Sequence, residues 1–445
     1  MGPVTRRNFV TLAGGTAAFS AVTGRAQSAN NKVVLALIGA GQRGSSLTSN
    51  LAKVENTQFK YICDVQDSQG APITKELQAL PGASLKRVVD MRRVFDDKDV
   101  DGVVIATPEH WHALASIWAC QAGKDVYVEK SPSLSIWESR KMIEASQKYK
   151  RIVQVGFENR SGPYSATARD YIKAGKLGKI RLVKVYNLLP GGGGPWKESP
   201  TSAVPPGVDW DLFQGPAPER PFSTTRLRRS WGTYWDYSGG ELSDDASHQL
   251  DLARMALGDP PHPKSVYCAG GRLAQDDKRE TPDLQVVTYD YGNFVMTCEC
   301  GSNQPYMAKE AQEVRYGTKW PYWPQSSCRI EIYGSQRLMF LGRHGCGWQV
   351  FELDGKIVDQ DKGYFPDKWH QPNFVDSIRS RTAPNGDIAK CHYSASLVHL
   401  GNIAYRAGKR LLDFDGESER FADNAVNDKF LMPSHRKEFR IPEKV

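Results

Sequence analysis

Val33-Val34-Leu35-Ala36-Leu37-Ile38 is an unbroken apolar run, and Gly39-Ala40-Gly41-Gln42-Arg43-Gly44 follows it without a gap. A run with no polar residue suits a strand covered on both faces, as the inner strands of a parallel sheet are. The glycine segment then opens a helical stretch that carries Leu47 and Leu51. Strand, glycine turn and helix in immediate succession form the first unit of a dinucleotide-binding sheet, and no other segment constrains the fold as strongly. Gly39 permits the tight turn, Gly41 lets the backbone approach a pyrophosphate, and Gly44 allows the helix to pack closely on the strand. The amino end of that helix, with Gln42 and Arg43, would face the phosphates.

A second strand, Phe59-Lys60-Tyr61-Ile62-Cys63, ends in Asp64. An acid at this point is placed for the adenosine ribose hydroxyls and favours NAD over NADP, because a 2′-phosphate would meet like charge. Arg43 would partly offset that repulsion. The apolar strand Gly102 to Ala106 runs into Thr107-Pro108-Glu109-His110-Trp111-His112, a helix follows from Ala113 to Gln121, and Asp125-Val126-Tyr127-Val128-Glu129-Lys130 comes next. Thr107, Pro108, His112, Glu129 and Lys130 thus fall at the carboxyl edge of the sheet, where open α/β folds bind ligands. A lysine that ends an apolar strand there is desolvated. Burial lowers its pKa and makes it a usable proton donor or hydroxyl polariser.

Further on, Gly239-Gly240-Glu241-Leu242-Ser243-Asp244 precedes His248. Ser243 is expected to cap a helix whose apolar positions include Ala246, Leu250, Ala253 and Leu257. Asp244 and His248 then lie four apart on one face, where the carboxylate orients the imidazole and keeps it basic. Such a pair suits removal of a hydroxyl proton, and the choice of principal base between Lys130 and His248 stays open.

Taken together, Gly39 to Gly44, Ala106 to His112, Ala122 to Lys130 and Gly239 to Asp244 with His248 resemble the glucose-fructose oxidoreductase / inositol dehydrogenase (Gfo/Idh/MocA) family. The resemblance implies an α/β amino-terminal Rossmann domain and a carboxyl-terminal α+β domain with a large, mostly antiparallel open sheet. The exposed face of that sheet commonly forms the subunit contact, so a homo-oligomer is expected. The resemblance also implies that Lys130, Asp244 and His248 flank the reacting carbon, and that Arg160, in the crossover Phe157-Glu158-Asn159-Arg160, touches substrate. One departure stands out. The family's Glu-Lys-Pro reads Glu129-Lys130-Ser131 here, with Pro132 one place later.

The expected organisation is a signal segment over 1–30, a Rossmann domain over 31–156 and a substrate-binding and oligomerisation domain over 157–445. Thr5-Arg6-Arg7-Asn8-Phe9-Val10, the glycine- and alanine-rich run to Val22 and the small residues around Ala26 look like a twin-arginine export signal, which implies a periplasmic protein. The 58 basic residues, less the three arginines of that segment, leave 55 against 50 acids. This mild excess is spread along the chain, and Arg226-Leu227-Arg228-Arg229 is its only short cluster, so nucleic-acid binding is not expected. No later run is apolar enough to span a bilayer. Eight cysteines include no CxxC, so no metal site is expected, and Cys63 and Cys120 read as buried thiols.

Strand-like stretches recur at Ile180 to Leu188, Ser265 to Cys268, Leu284 to Tyr289, Phe294 to Cys300 and Arg329 to Tyr333, with the alternation of an antiparallel sheet. Pro190 to Pro206 reads as a long irregular loop. Trp231, Tyr234 and Trp235 form an aromatic cluster that either covers the apolar side of a sugar ring or packs into the core. Helices are expected from Trp369 and over 387–410, with His370 and His392 structural. The function this pattern favours is hydride transfer between NAD and a secondary hydroxyl of a sugar, glycoside or cyclitol, NADP being disfavoured. In a periplasm without free NAD the cofactor would stay bound and be recycled. A redox-neutral glycoside hydrolase acting through a transient 3-keto sugar is the alternative, with a non-catalytic sugar-binding protein third.

Overall fold

The computed structural model of the protein describes residues 32–191, 196–274 and 277–445, the side chain of Arg229 apart. The expected twin-arginine segment and part of the glycine run Gly191 to Gly194 lie outside them. Six strands form the first sheet: β1 (Val33–Ile38), β2 (Thr57–Cys63), β3 (Lys86–Val88), β4 (Gly102–Ile105), β5 (Asp125–Val128) and β6 (Val153–Val155). Their order is β3-β2-β1-β4-β5-β6 and every pairing is parallel. Strand order reverses between β1 and β4, which opens a crevice at the carboxyl ends of those strands. Leu35, Leu37, Val103, Val104 and Val126 have no exposed surface. Removing such side chains from water contributes about 1.5–3 kcal/mol each, which is why the unbroken apolar runs settle here.

Ten strands form the second sheet: β7 (Ile180–Leu188), β8 (Ser265–Gly271), β9 (Leu284–Asp290), β10 (Val295–Gly301), β11 (Arg329–Gly334), β12 (Leu338–Gly342), β13 (Gly347–Phe351), β14 (Ile357–Asp361), β15 (Leu412–Asp415) and β16 (Arg420–Phe421). The order is β14-β13-β12-β11-β7-β10-β9-β8-β15-β16. Only β7 with β10 is parallel, and the other neighbours are antiparallel. Along β9, Gln285, Val287 and Tyr289 are buried while Val286 is exposed, so one face of the sheet is covered. The cover is provided by the helices Ala246–Ala256 and Ile388–Arg406, whose Leu250, Leu252, Leu397 and Leu400 share one apolar core with β7 to β12.

Two expectations need correction. The helix capped by Ser243 is in fact two, Gly240–Asp244 and Ala246–Ala256, broken at Asp245. Ser243 caps neither, because its hydroxyl donates to Glu109 Oε2 at 2.6 Å, across the boundary between the two sheets' domains. The helix expected from Trp369 begins at Asp367 and runs to Ser380. It returns to the first sheet, where Phe374, Val375 and Ile378 pack with Val33, Leu35, Leu37 and Tyr127. Phe439, Ile441 and Val445 join the apolar core on the opposite face of that sheet. All eight cysteines are buried and unbonded.

Candidate active site

The glycine turn is built as its spacing demands. Gly39 has φ +89°, and a Cβ there would lie 2.7 Å from the backbone of Ala106 and Thr107. A Cβ on Gly44 would lie 2.0 Å from the Gly39 carbonyl oxygen, so helix and strand approach only because it is absent. At Gly41 nothing lies within 4 Å, which leaves the helix amino end open. This turn, with Gln42, Asp64, Thr107 and Pro108, lines a cavity of about 540 Å³. Asp64 is held rigidly at the end of β2: Oδ2 accepts from Ala40 N at 2.7 Å and Oδ1 from Gln66 N at 2.8 Å. Burial raises its pKa despite those two amide bonds. Thr107 Oγ1, on the cavity's lining, is buried without a hydrogen-bond partner. A dinucleotide therefore finds a phosphate turn, a ribose-side acid and a spare hydroxyl in one cleft.

Three other expected cofactor contacts do different work. Arg43 reaches the cavity, but its Nε lies 3.0 Å from Glu129 Oε1 and its NH1 3.1 Å from Asp367 Oδ2. Its charge is therefore matched by two carboxylates and does not offset the repulsion that Asp64 would exert on a 2′-phosphate. Glu129 is buried in that pairing. His112 is buried with Nδ1 2.7 Å from Ser131 O and Nε2 2.8 Å from Thr107 O. It ties the end of β4 to the end of β5, a positioning role.

Lys130, at the end of β5, carries the chemistry most directly. Its Nζ donates to Asp244 Oδ1 at 2.6 Å and also to the Asp244 backbone carbonyl. The Lys130–Ser131 peptide is cis, with Pro132 the residue after. Burial works to lower the ammonium's pKa, but the carboxylates of Asp244 and Asp245 outweigh it, and the net shift is upward. The expected depressed lysine is thus corrected: Lys130 is a firmly protonated hydrogen-bond donor. Of its three N–H groups, Asp244 engages two.

The Asp244–His248 pairing expected from a continuous helix is replaced. His248 Nδ1 lies 3.1 Å from Glu158 Oε2, an ion-pair distance without hydrogen-bond alignment. The break at Asp245 gives Asp244 to Lys130 and turns Asp245 to Arg343, whose NH1 reaches Asp245 Oδ1 at 2.5 Å and whose Nε lies 3.9 Å from Glu158 Oε1. Burial and Arg343 push the His248 imidazole below its ordinary pKa, and Glu158 only partly restores it. Burial would raise Glu158, but His248 and Arg343 hold its carboxyl well below the ordinary range. His248 is consequently neutral near pH 7, as a proton acceptor must be.

Two more acids complete the ensemble. Glu109 is buried, accepts from Ser238 Oγ, Gly239 N and Ser243 Oγ, and is pushed up to about 7 by burial. Glu241 accepts from Asn187 Nδ2 at 3.2 Å and is pushed up to about 8 by burial and then by Asp244. Sequence reasoning did not single out Glu109, Glu158, Glu241, Asp245 or Arg343. Four of them sit beside or inside quoted motifs, whereas Arg343 had no local signal.

The substrate-contact expectations divide. Trp231 lines the cavity together with the exposed Arg228. Tyr234 is buried, its hydroxyl 3.0 Å from Glu198 Oε1 and 3.1 Å from Thr225 Oγ1, with the Arg226 guanidinium 4.0 Å from its ring. It belongs to an apolar cluster with Trp210, Phe213, Phe222 and Tyr237, so the core reading is the correct one for it. Trp235 faces Arg406 at 4.9 Å, away from the cavity lining. Arg160 is corrected outright. Its guanidinium is buried between Asp251 (2.7 Å) and Asp259 (2.8 Å), and all three of its nitrogens are engaged by these carboxylates.

A parallel sheet with this cleft, and a second, mostly antiparallel domain whose helix Gly240–Asp244 supplies the lysine's partner, define a two-domain, dinucleotide-dependent enzyme class. Residues 33–157 match the Gfo/Idh/MocA oxidoreductase family, NAD-binding Rossmann fold, and residues 194–311 and 323–441 match its C-terminal alpha/beta domain. The chain belongs to this family and is an NAD-binding oxidoreductase. Among curated relatives, the scyllo-inositol 2-dehydrogenase (NAD(+)) of Bacillus subtilis is 31% identical over 51% of this chain and 55% of its own length. The levoglucosan dehydrogenase of Pseudarthrobacter phenanthrenivorans is 30% identical over 38% of this chain and 36% of its own. A solved levoglucosan dehydrogenase in complex with NADH and levoglucosan superposes with a TM-score of 0.62 at 19% identity, covering 86% of this chain and 99% of that one. At that identity the likeness is one of fold.

Proposed function

We propose that this protein transfers a hydride between bound NAD and a secondary hydroxyl of a sugar, glycoside or cyclitol. The observation that carries the reading is the Lys130 ammonium, gripped by Asp244 beyond the carboxyl end of β5, in the electrostatic reach of a neutral His248. When bound, the nicotinamide supplies the hydride acceptor. Gly41, Gln42 and Asp64 would hold its dinucleotide, with Thr107 offering a hydroxyl on the same lining. Lys130 donates its remaining N–H to the substrate oxygen and stabilises developing negative charge there. His248, low in pKa because it is buried beside Arg343, takes the hydroxyl proton at Nε2, and Glu158 against Nδ1 stabilises the imidazolium that results. The similarity to inositol and levoglucosan dehydrogenases supports a polyhydroxylated ring as substrate.

The arginine pair Arg6-Arg7 supports export to the periplasm, and a one-sided ten-stranded sheet with Tyr267 and Val286 exposed supports assembly with a second copy. Export in turn favours a cofactor that stays bound and is recycled. A second reading draws on Glu241, whose raised pKa keeps it protonated at neutral pH. A carboxylic acid one turn from Asp244 could protonate a departing glycoside oxygen after transient oxidation of the ring. A relative named alpha-N-acetylgalactosaminidase from Shewanella oneidensis, 29% identical over 26% of each chain, is consistent with that chemistry. Purified protein given a glycoside without added cofactor separates the two: a keto-sugar with stoichiometric NADH supports oxidation, and catalytic release of aglycone supports the redox-neutral cycle. Neither product from a panel of pyranosides and cyclitols would sink the proposal.

A further inference from the structure

Outside the cofactor cleft, Glu310, Cys328 and His344 converge from three separate segments, with one donor atom of each within 4.8 Å of the others. Glu310 lies in the loop before the short helix Gln312–Arg315, Cys328 immediately precedes β11, and His344 stands in the turn between β12 and β13. Glu310 and Cys328 are buried at 8% and 1% exposure. One oxygen of Glu310 accepts from Ser326 Oγ, while Oε2 is buried with no hydrogen-bond partner. His344 Nδ1 is likewise buried and unpartnered. Two orphaned buried atoms that can each accept, beside a thiol, are costly unless something binds them.

We propose that Glu310, Cys328 and His344 form a binding site for a zinc-class divalent cation. A thiolate, an imidazole and a carboxylate are the donors that such an ion takes in tetrahedral geometry. Bonds of about 2.0–2.3 Å put tetrahedral ligands roughly 3.3–3.8 Å apart, so side-chain rotations of about an ångström close the site, with water in the fourth position. Thiolate and carboxylate together carry two negative charges, which a dication neutralises in a buried place. No short spacing motif announces this set, because its members stand 18 and 16 residues apart. The other cluster of this kind among the described residues, His262–His392–Glu419, is already supplied with a cation. Arg140 NH2 lies 2.5 Å from Glu419 Oε1 and 3.1 Å from His392 Nε2.

The ion would join the Glu310 loop and β11 to the β12–β13 turn. That turn also carries Arg343, whose guanidinium holds Asp245 and faces Glu158 at the candidate active site. A bound cation would therefore be a positioning element for the charge that keeps His248 neutral, at one remove from the reacting atoms.

Untagged full-length protein, stripped of metal and titrated with Co²⁺, should take up one equivalent and show both thiolate-to-cobalt charge transfer and the visible bands of tetrahedral cobalt. Cys328→Ser should abolish the charge-transfer band, Glu310→Gln should weaken Co²⁺ binding at least tenfold, and Cys120→Ser, in the first domain, should leave the titration unchanged. Elemental analysis of protein as isolated should find about one zinc per chain, absent from Cys328→Ser. A wild-type protein that binds no cobalt stoichiometrically overturns the site. So does a spectrum that survives in both Cys328→Ser and Glu310→Gln, the second variant being isosteric and chosen for its mild effect on folding.

Discussion

Lys130→Met isolates the ammonium, because the variant keeps an unbranched apolar stem of similar length. The structural cost should be small. Asp244 is 56% exposed on its side chain and rehydrates when its partner is lost, so the pair behaves as a solvent-screened one worth about 0–1 kcal/mol. The catalytic cost should be much larger, since a positioned proton donor or polarising group contributes about 10²–10⁴ in rate, or roughly 2.7–5.4 kcal/mol at 1.36 kcal/mol per tenfold. The assay is kcat/KM for oxidation of an established substrate, with bound NAD and thermal midpoint measured on the same sample.

A second signature separates loss of chemistry from loss of fold. In the wild type, His248 must be neutral to accept a proton, so activity falls as pH falls through a His248 pKa that lies below its ordinary 6.5. Lys130 stays protonated throughout this range, because Asp244 and Asp245 outweigh the effect of burial. Lys130 is itself one of the cations that depress His248. Its removal should shift the acid limb of the profile to higher pH while NAD content and thermal midpoint hold. A variant with kcat/KM within threefold of wild type, or an acid limb moved downward, would refute the assignment.

Other outcomes follow from the same geometry. Asp64→Asn removes the charge that two backbone amides hold against the ribose site, and NAD affinity measured by calorimetry should fall about 10- to 100-fold, with NADP penalised less. Arg160→Met leaves the buried Asp251 without its guanidinium while Asp259 keeps Arg254 at 3.2 Å, so urea unfolding should show a loss of about 3–5 kcal/mol. The KM of the folded variant should be unchanged, whereas a raised KM would restore Arg160 to the substrate site. Glu241 holds a proton in the folded state up to about pH 8 that the unfolded chain gives up near its ordinary pKa, so its contribution to stability declines as pH rises between those limits. Glu241→Gln does not titrate, and its thermal midpoint relative to wild type should rise from pH 5 to pH 8; a constant difference would refute the raised pKa.

The cofactor cleft was legible because its determinants are adjacent in the chain. The Val33–Ile38 strand, the three glycines and Asp64 act through steric rules that need only a few neighbours. The catalytic cluster was legible in identity but not in partnership. Asp244 and His248 are four apart, and a continuous helix would have stacked them. Glu109, 134 residues before Ser243, captures that hydroxyl and accompanies the break. Lys130 and Asp244 are 114 residues apart, and nothing local to either announces the pair that raises the lysine's pKa. Arg160 and Tyr234 failed as ligand contacts for a related reason. Residue type marked them as capable of binding, while burial and the partners Asp251, Asp259 and Glu198 had already claimed their polar atoms.

The helix Asp367–Ser380 has a bearing on how the chain is made. Phe374, Val375 and Ile378 complete an apolar layer over β1 that Leu47, Leu51, Ile73 and Leu77, all within the first 160 residues, cover only in part. A ribosome that has finished β6 must add more than 200 residues before that layer can close. During that interval the part of this layer that Phe374, Val375 and Ile378 will cover stays open to water, which invites a chaperone or aggregation. Cutting the gene after the first sheet to obtain a free-standing nucleotide-binding fragment should therefore yield insoluble protein, whereas splicing Asp367–Ser380 onto it through a short linker should recover a soluble one.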